Sequence, residues 1–577
     1  MFNLEMKLKY FAIIVLLFSF FGLTLTSSVS ESPVTDEPGH ISTGLLYLKY
    51  GDLTFNSGSP LLANILSALP LYTMSSLTIP MDVQYFQNGY LHSFAKDFFM
   101  MNKARVDQIL LLSRLPIMLA GMLLGLVIFI WTKNWYGFFP ALLALGLYVG
   151  EPSFLAHAHY ATTDVLFALM FTTTIFFLER YLSQKRNYYL FLFAALFALS
   201  QLVKITAIFL YPLCFLIFAM YSRKADVLEK IFEATRRVFV LAVFSLLAIN
   251  SFYGFRDIGL PLSYYLARDQ SIINSQYSMS LIESNLPFGQ TKFAAVSKYI
   301  YYRLPLPVSY QYVKTLGWVF FRSKIPQPSF LAGRYSTTGW KLYFPVLAVL
   351  KMPLGLLLFV FASLFLALTK TKHIEKKEHA FLIIPVALST AGLIFSRINT
   401  GYRLLLFLLP LSIIFAVRFV FKEKKFSSVM FVVMLVQLIV TVTNFPNFLG
   451  YVNLIPVRDK YKYMSDSNLD WGQDVKKLSL YLKDNKIDTI HMNLFGVMDT
   501  ELYGQHYEEF GPSWIRDWIG KANGSEDCQD KGAGLYAVSA NQLSGTFFQT
   551  HDCFNWLLNK GKLTNIIGSS IYIFRYD

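Results

Sequence analysis

A bilayer core is crossed by about 20 consecutive apolar residues of helix, and this 577-residue chain offers roughly eleven stretches of that kind. They lie near 10–27, 108–131, 137–151, 162–179, 188–203, 205–221, 238–255, 342–368, 380–396, 404–421 and 428–449. Those at 137–151 and 188–203 are short, and the pair around Lys204 allows one crossing fewer. Only 15% of the residues are charged, against about 25% in soluble domains. The predicted fold class is an all-α polytopic membrane protein with about eleven transmembrane helices, followed by a small α/β C-terminal domain outside the membrane.

Fifty-one Lys and Arg stand against 36 Asp and Glu, a net charge of +15. In a helical membrane protein such an excess collects in the cytoplasmic loops, so it calls for no nucleic-acid partner. Basic clusters occur at Lys7 and Lys9, at Arg180, Lys185 and Arg186, and at Arg223, Lys224, Lys230, Arg236 and Arg237. Further ones are Lys370, Lys372, Lys376 and Lys377, and Lys422, Lys424 and Lys425. With a cytoplasmic N-terminus and one crossing per stretch, all five clusters fall on the cytoplasmic side. Residues 1–30 read alternatively as a cleaved signal peptide, with a basic start, an apolar middle and a Ser-rich end. The expected location is a bacterial inner membrane.

This topology divides the chain into a membrane domain over 1–449 and an extracytoplasmic domain over 450–577. Two large outer loops interrupt the former, at 28–106 and 256–341. In the first loop, Ile41–Tyr50 and Leu61–Pro80 read as helices lying at the membrane surface. In the C-terminal domain, Thr489–Phe495, Leu535–Ser539 and Ser570–Phe574 read as strands. Asp474–Lys483 reads as a helix opened by Asp470 or Gln473. Three cysteines exclude a disulfide framework. Cys214 reads as inert packing, whereas Cys528 and Cys553 can bridge in an oxidising compartment. Asn523-Gly524-Ser525 is a glycosylation acceptor pattern, meaningful only in a eukaryotic secretory membrane.

Chemistry concentrates at the outer ends of the spans. Asp36-Glu37-Pro38-Gly39-His40 follows the first span, and Glu151 to His157, His159 and Asp164 lie between the third and fourth. Paired carboxylates at a water–lipid boundary suit a general base, because partial desolvation brings their pKa towards working pH. The plainer alternative is that Asp36 and Glu37 cap the helix that begins near His40. Asp36, His40, His157, His159 and Asp164 are also chemically able to hold a divalent metal or a substrate. Lys204, Arg334, Lys351, Arg397 and Arg403 supply the cationic complement. A cation in or beside a span is expensive and marks a site unless it snorkels to the interface.

Taken in order, these motifs resemble those of the family 39 membrane glycosyltransferases, the relatives of dolichyl-phosphate-mannose–protein mannosyltransferases. The likeness is carried by Asp36-Glu37-Pro38-Gly39-His40-Ile41 and Tyr47-Leu48-Lys49-Tyr50-Gly51-Asp52, then by Arg114-Leu115-Pro116, Glu151 to His157 with Thr162-Thr163-Asp164, and Leu202 to Thr206. It continues through Gly339 to Pro345, Lys351 to Leu354, Ile398 to Arg403 and Asp466 to Asp474. Two departures stand out: Gly58-Ser59-Pro60-Leu61 replaces a basic residue or His before two prolines, and an apolar run separates Arg403 from Pro410.

The resemblance implies a GT-C fold and an inverting transfer of a hexose-type sugar from a polyprenyl-phosphate carrier, at a site facing away from the cytoplasm. Asp36 would be the base and Glu37 its acidic neighbour, with Arg403, Lys351 and Lys204 on the donor phosphate. His40, His157, His159 and Asp164 would serve substrate or a metal. No cofactor or nucleotide is required, although a divalent metal remains possible. The implied partners are a polyprenyl-phosphate-linked sugar, a protein, glycan or lipid acceptor, and the bilayer. The competing class is a multi-pass transporter or flippase of a lipid or glycan. No pair of interrupted spans in matching halves supports it.

Overall fold

The computed structural model describes residues 4–55, 58–88, 91–261, 263, 303–324, 326–369, 374–422, 427–512, 528–548 and 550–577. The glycosylation pattern at 523–525 and much of the second outer loop lie outside the described residues. The protein is predominantly helical, and it carries a small sheet near its C-terminus.

The first twelve α-helices are α1 (Leu4–Ser30), α2 (Glu37–Tyr50), α3 (Leu62–Tyr72), α4 (Val83–Asn88), α5 (Leu91–Met101), α6 (Val106–Tyr136), α7 (Phe138–Val149), α8 (Pro152–Ala158), α9 (Asp164–Gln184), α10 (Asn187–Val203), α11 (Leu210–Tyr221) and α12 (Val227–Phe252). Among the described residues four helical stretches are long and apolar enough to cross a membrane: Lys7–Ser30, Lys103–Tyr136, Asp164–Gln184 and Lys376–Ile394. A fifth is counted if α7 and α8, bent by 63°, form one broken span. The protein is an integral membrane protein. Of the remaining predicted spans, that at 238–255 falls in the continuous 26-residue α12, while the others are helical but shorter or interrupted, so helix length alone does not return the count of eleven.

The interruptions have local causes. Pro152 and Glu151 end α7 and start α8, with Glu151 accepting from the Phe154 N–H at 2.7 Å. Gln437 and Thr441 satisfy the carbonyls left open at this bend, donating to Leu147 and Gly150. Lys204 is extended between α10 and a 3-10 turn over Ile205–Phe209. Pro353 separates Tyr343–Lys351 from Leu354–Thr369, and Tyr402–Leu408 is 3-10 before Leu409–Lys422. Irregular backbone at membrane depth is tolerated only where protein or a water-filled cavity covers it. Four of the polar residues singled out from sequence therefore sit at breaks: Glu151, Lys204, Lys351 and Arg403.

The two ends of the bundle differ in charge. Lys9 lies over Phe138, Arg237 over Phe218, Lys376 over Tyr221 and Lys377 over Trp135. These basic residues gather where α1 begins and α6 ends. At the other end, Arg114 in the first turns of α6 bonds the Ser28 carbonyl in the last turn of α1. In between, Gly121 and Gly125 let Phe20, Leu17 and Tyr148 approach the α6 backbone closely.

Helix α2 is enclosed rather than left on a surface. Its residues Glu37 to Leu46 are buried, and it packs against α3 and α5. Gly44 permits this, because a Cβ there would collide with the backbone carbonyl of Asn64.

Beyond Gly450 the chain forms a five-stranded sheet of order β4-β3-β5-β7-β6, after the small hairpin β1 (Ser329–Leu331) and β2 (Arg334–Ser336). Strands β3 (His491–Asn493), β5 (Gly534–Ser539) and β7 (Ile571–Tyr576) are those expected from sequence. The additional strands β4 (Glu508–Glu509) and β6 (Lys562–Ile567) are edges, and mostly exposed. The helix over Val475–Asp484 lays Leu478 and Leu482 on Ile490, Met492, Ala537 and Ile573. It begins after Asp474, whose side chain makes no cap bond, rather than at Asp470 or Gln473. Cys528 and Cys553 form a disulfide, and Cys214 is free and buried.

Replacing Gly44 by Val should destabilise the first-loop helices at or above the upper end of the usual overpacking cost of about 1–3 kcal/mol. Thermal melting of the purified protein in detergent measures this.

Candidate active site

Residues 31–36 join α1 to α2, and buried charge holds this linker in place. The Glu37 carboxylate is fully enclosed and accepts from Arg114 twice, Nε to Oε1 at 2.8 Å and Nη2 to Oε2 at 2.7 Å. It also accepts from the Val34 and Ala161 N–H groups. Arg114 donates in addition to the carbonyls of Ser28, Glu31 and Ser32. Every oxygen of Glu37 is thus committed to structure, turned from its sequence neighbour towards α6 and α9.

Glu31 forms a second buried node. It accepts from His159 Nε2 at 2.9 Å and the Tyr160 hydroxyl at 2.7 Å, with Lys477 Nζ at 3.4 Å. Burial would raise the Glu31 carboxyl, but Lys477 and His159 outweigh it and hold it at about 2. His159 spends its other nitrogen on the Leu155 carbonyl. The structure therefore places His159 in this node, behind the linker.

Asp36 behaves differently. It occupies the N-cap position of α2 but makes no side-chain cap bond. Its Oδ2 instead accepts from Arg403 Nη1 at 2.8 Å, and 36% of its side chain remains exposed. Burial alone would raise its carboxyl; Arg403, then His40, hold it below the ordinary value. Arg403 reaches Asp164 at 3.9 Å, and Asp164 pairs with Lys204 at 2.5 Å. Asp36, Arg403, Asp164 and Lys204, far apart in sequence, form one alternating row of charge.

His40 and His157 border this row. His40 shares a 2.8 Å bond with Asn64, and burial pushes its imidazole below the ordinary value. His157 is buried with its ring 5.6 Å from that of Trp471, and its Nδ1 finds no hydrogen-bond partner among the described residues. Lys351 stands apart, donating to the Leu449 and Asn468 carbonyls at 2.7 and 2.8 Å. Arg334 and Arg397 are exposed. Among the described residues no group of three or more His, Cys, Asp and Glu is arranged to hold a metal ion.

Sequence reasoning left the stretch Asp466–Asp474 largely unexplained, and the structure brings it to the site. Trp471 lies under Arg403, 4.2 Å from ring centroid to guanidinium carbon. Asp466 feels the charges of Arg403 and Asp36; burial, the larger influence, raises its carboxyl to about 6. Its backbone is left-handed, with φ of 57°, an uncommon state that clusters at functional positions. Gly401, with φ of 129°, makes room for Ser467 beside the Arg403 turn. The order of motifs alone carried no sign of this contact, which needs the C-terminal domain folded back on the linker.

Residues 108–249 match the family model described as dolichyl-phosphate-mannose-protein mannosyltransferase. The matched segment contains Arg114, His157, Asp164 and Lys204, while Asp36, Arg403 and Trp471 lie outside it. Comparison with curated proteins gives no match. Two solved structures of ArnT from Cupriavidus metallidurans are similar at low identity. The apo state is 12% identical and the form bound to undecaprenyl phosphate 11%, each over 97% of both chains at a TM-score of 0.30.

Breaking the Glu37–Arg114 pair with Arg114→Leu should cost about 3–5 kcal/mol, the penalty of an uncompensated buried charge, visible as a lowered melting temperature. Arg403→Gln should act on titration instead. With the cation gone, burial dominates Asp36, and any activity that needs its carboxylate has its acid limb at higher pH than wild type. The pH profile of kcat/KM tests the shift.

Proposed function

We propose that this chain is a GT-C-type membrane glycosyltransferase. It takes a hexose-type sugar from a polyprenyl-phosphate carrier and gives it, with inversion, to an acceptor hydroxyl on the extracytoplasmic face. The observation that carries the reading is the position of Arg403, between the partly exposed Asp36 and the Asp164–Lys204 pair. A proton acceptor next to a cation at the end of a membrane bundle suits a donor whose lipid tail stays in the bilayer. The family model over 108–249 supports this chemistry, since its description names a lipid-phosphate sugar as donor. The basic residues at the opposite end of the bundle favour an orientation with the site outside.

In this reading Asp36 accepts the proton of the acceptor hydroxyl, whose oxygen attacks the anomeric carbon opposite the carrier. The bond from that carbon to the phosphate oxygen breaks, and the phosphate departs with the electron pair. Arg403 offers an edge of N–H donors and Lys204 a point charge to stabilise it. Glu37 serves through Arg114 by fixing the linker, and Lys351 by bracing the main chain behind Arg403. His40 and His157, beside the row of charge, line the back of the pocket in which the substrates would meet. These cations meet the developing charge, so no nucleotide or resident metal is invoked, and activity should survive a chelator. Loss on EDTA treatment with recovery on adding Mg²⁺ would assign a metal instead.

Asp36→Asn should lower transfer by about 10²–10⁴-fold, the usual contribution of a general base, with insertion unchanged. The assay uses proteoliposomes carrying a radiolabelled polyprenyl-phosphate hexose. Full transfer by the variant removes Asp36 from the mechanism, and carrier translocation without transfer favours the flippase class.

A further inference from the structure

The segment from Asn468 to Gln473 is tied to both halves of the site. The Trp471 carbonyl accepts from the Thr35 N–H at 2.8 Å and the Thr35 hydroxyl at 3.0 Å, immediately before Asp36. The Ser32 N–H donates to the Gln473 carbonyl, and the Ser32 hydroxyl to that of Gly472. On the other side, Asn468 Oδ1 accepts from the Tyr402 N–H at 2.8 Å, immediately before Arg403. The Trp471 indole is only 2% exposed and is walled by His157 and Tyr160, with ring centroids 5.6 and 5.8 Å away. One face is thus left to Arg403. A guanidinium seated over the face of an aromatic ring is held there by cation–π attraction, while its N–H donors stay available to carboxylate or phosphate oxygens.

Resting on the glycosyltransferase reading above, we infer that Trp471 is a positioning residue. Its ring fixes the Arg403 guanidinium and its carbonyl fixes the segment carrying Asp36, so one residue sets the separation of proton acceptor and phosphate-binding cation. While the donor binds, Arg403 keeps its seat on the indole and exchanges Asp36 oxygens for phosphate oxygens along the same edge. Asp36, released from the pair, then faces the acceptor hydroxyl.

The test compares full-length Trp471→Phe and Trp471→Leu in proteoliposomes with a polyprenyl-phosphate hexose donor. Trp471→Phe keeps an aromatic face and should retain most activity. Trp471→Leu should lose about 10–100-fold in kcat/KM, the scale of a small misplacement of reacting groups. Its acid limb should also move to higher pH, as Asp36 loses the field of Arg403. Equal losses in both variants with an unmoved acid limb would show that Trp471 merely fills space, and overturn the inference. A wild-type profile for Trp471→Leu overturns it as well, and leaves the function standing provided Asp36→Asn is inactive. An active Asp36→Asn overturns the function itself. Thr35→Val, which removes only the hydroxyl bond to the Trp471 carbonyl, covers the case in which Trp471→Leu does not fold. It should lower kcat with donor KM unchanged, and an unchanged kcat contradicts the coupling.

Discussion

A buried charge is costly unless it is paired or hydrogen-bonded, and that constraint shapes the surroundings of the site. Removing a carboxylate and a guanidinium from water costs several kcal/mol for each. Burial of Glu37 and Arg114 is therefore tolerable only with the two-point pairing and the ring of main-chain partners that surround them. Those partners belong to α1, to the linker after it and to the approach to α9. Satisfying one ion pair consequently fixes the path of the linker, and the path fixes where the next side chain, Asp36, emerges. Two adjacent carboxylates with the same charge thereby acquire opposite duties, one closed and saturated, the other open and held by a single movable cation.

Much of the architecture was legible because apolar content and helix length are local properties of a chain. The first span, the long sixth helix, the ninth helix and three of the five sheet strands lie where hydropathy and alternation put them. Crossings were harder to count because helices here break at polar residues and prolines, and a break does not lower the mean apolarity of its window. The edge strands escaped for a related reason. Glu508–Glu509 and the mostly exposed stretch Lys562–Ile567 have, among the described residues, one strand neighbour each and little apolar face to show.

The site was legible as a set of residue types and not as a set of contacts. Asp36, Arg403, Asp164 and Lys204 stood out because charge at a membrane boundary is costly, and they converge. Glu37, His159 and Lys351 stood out for the same reason, yet their partners are structural. Cost alone does not tell a group poised for chemistry from one paired for stability. The difference lies in what the other end of each bond is, and that is set by segments between 40 and 367 residues away. Trp471 carried no charge to advertise it, and its part emerges only from the ring under Arg403.

The ladder between Ser32–Thr35 and Trp471–Val475 joins strands of main chain separated by some 440 positions. A ribosome delivers the second partner some 440 residues after the first. Until then the linker lacks the carbonyls that orient it, and Arg403 lacks its aromatic seat. A chain cut short before Trp471 would carry all the helices up to Thr443 and still lack the contacts that order the linker, so synthesis of this late segment gates the assembly of the site.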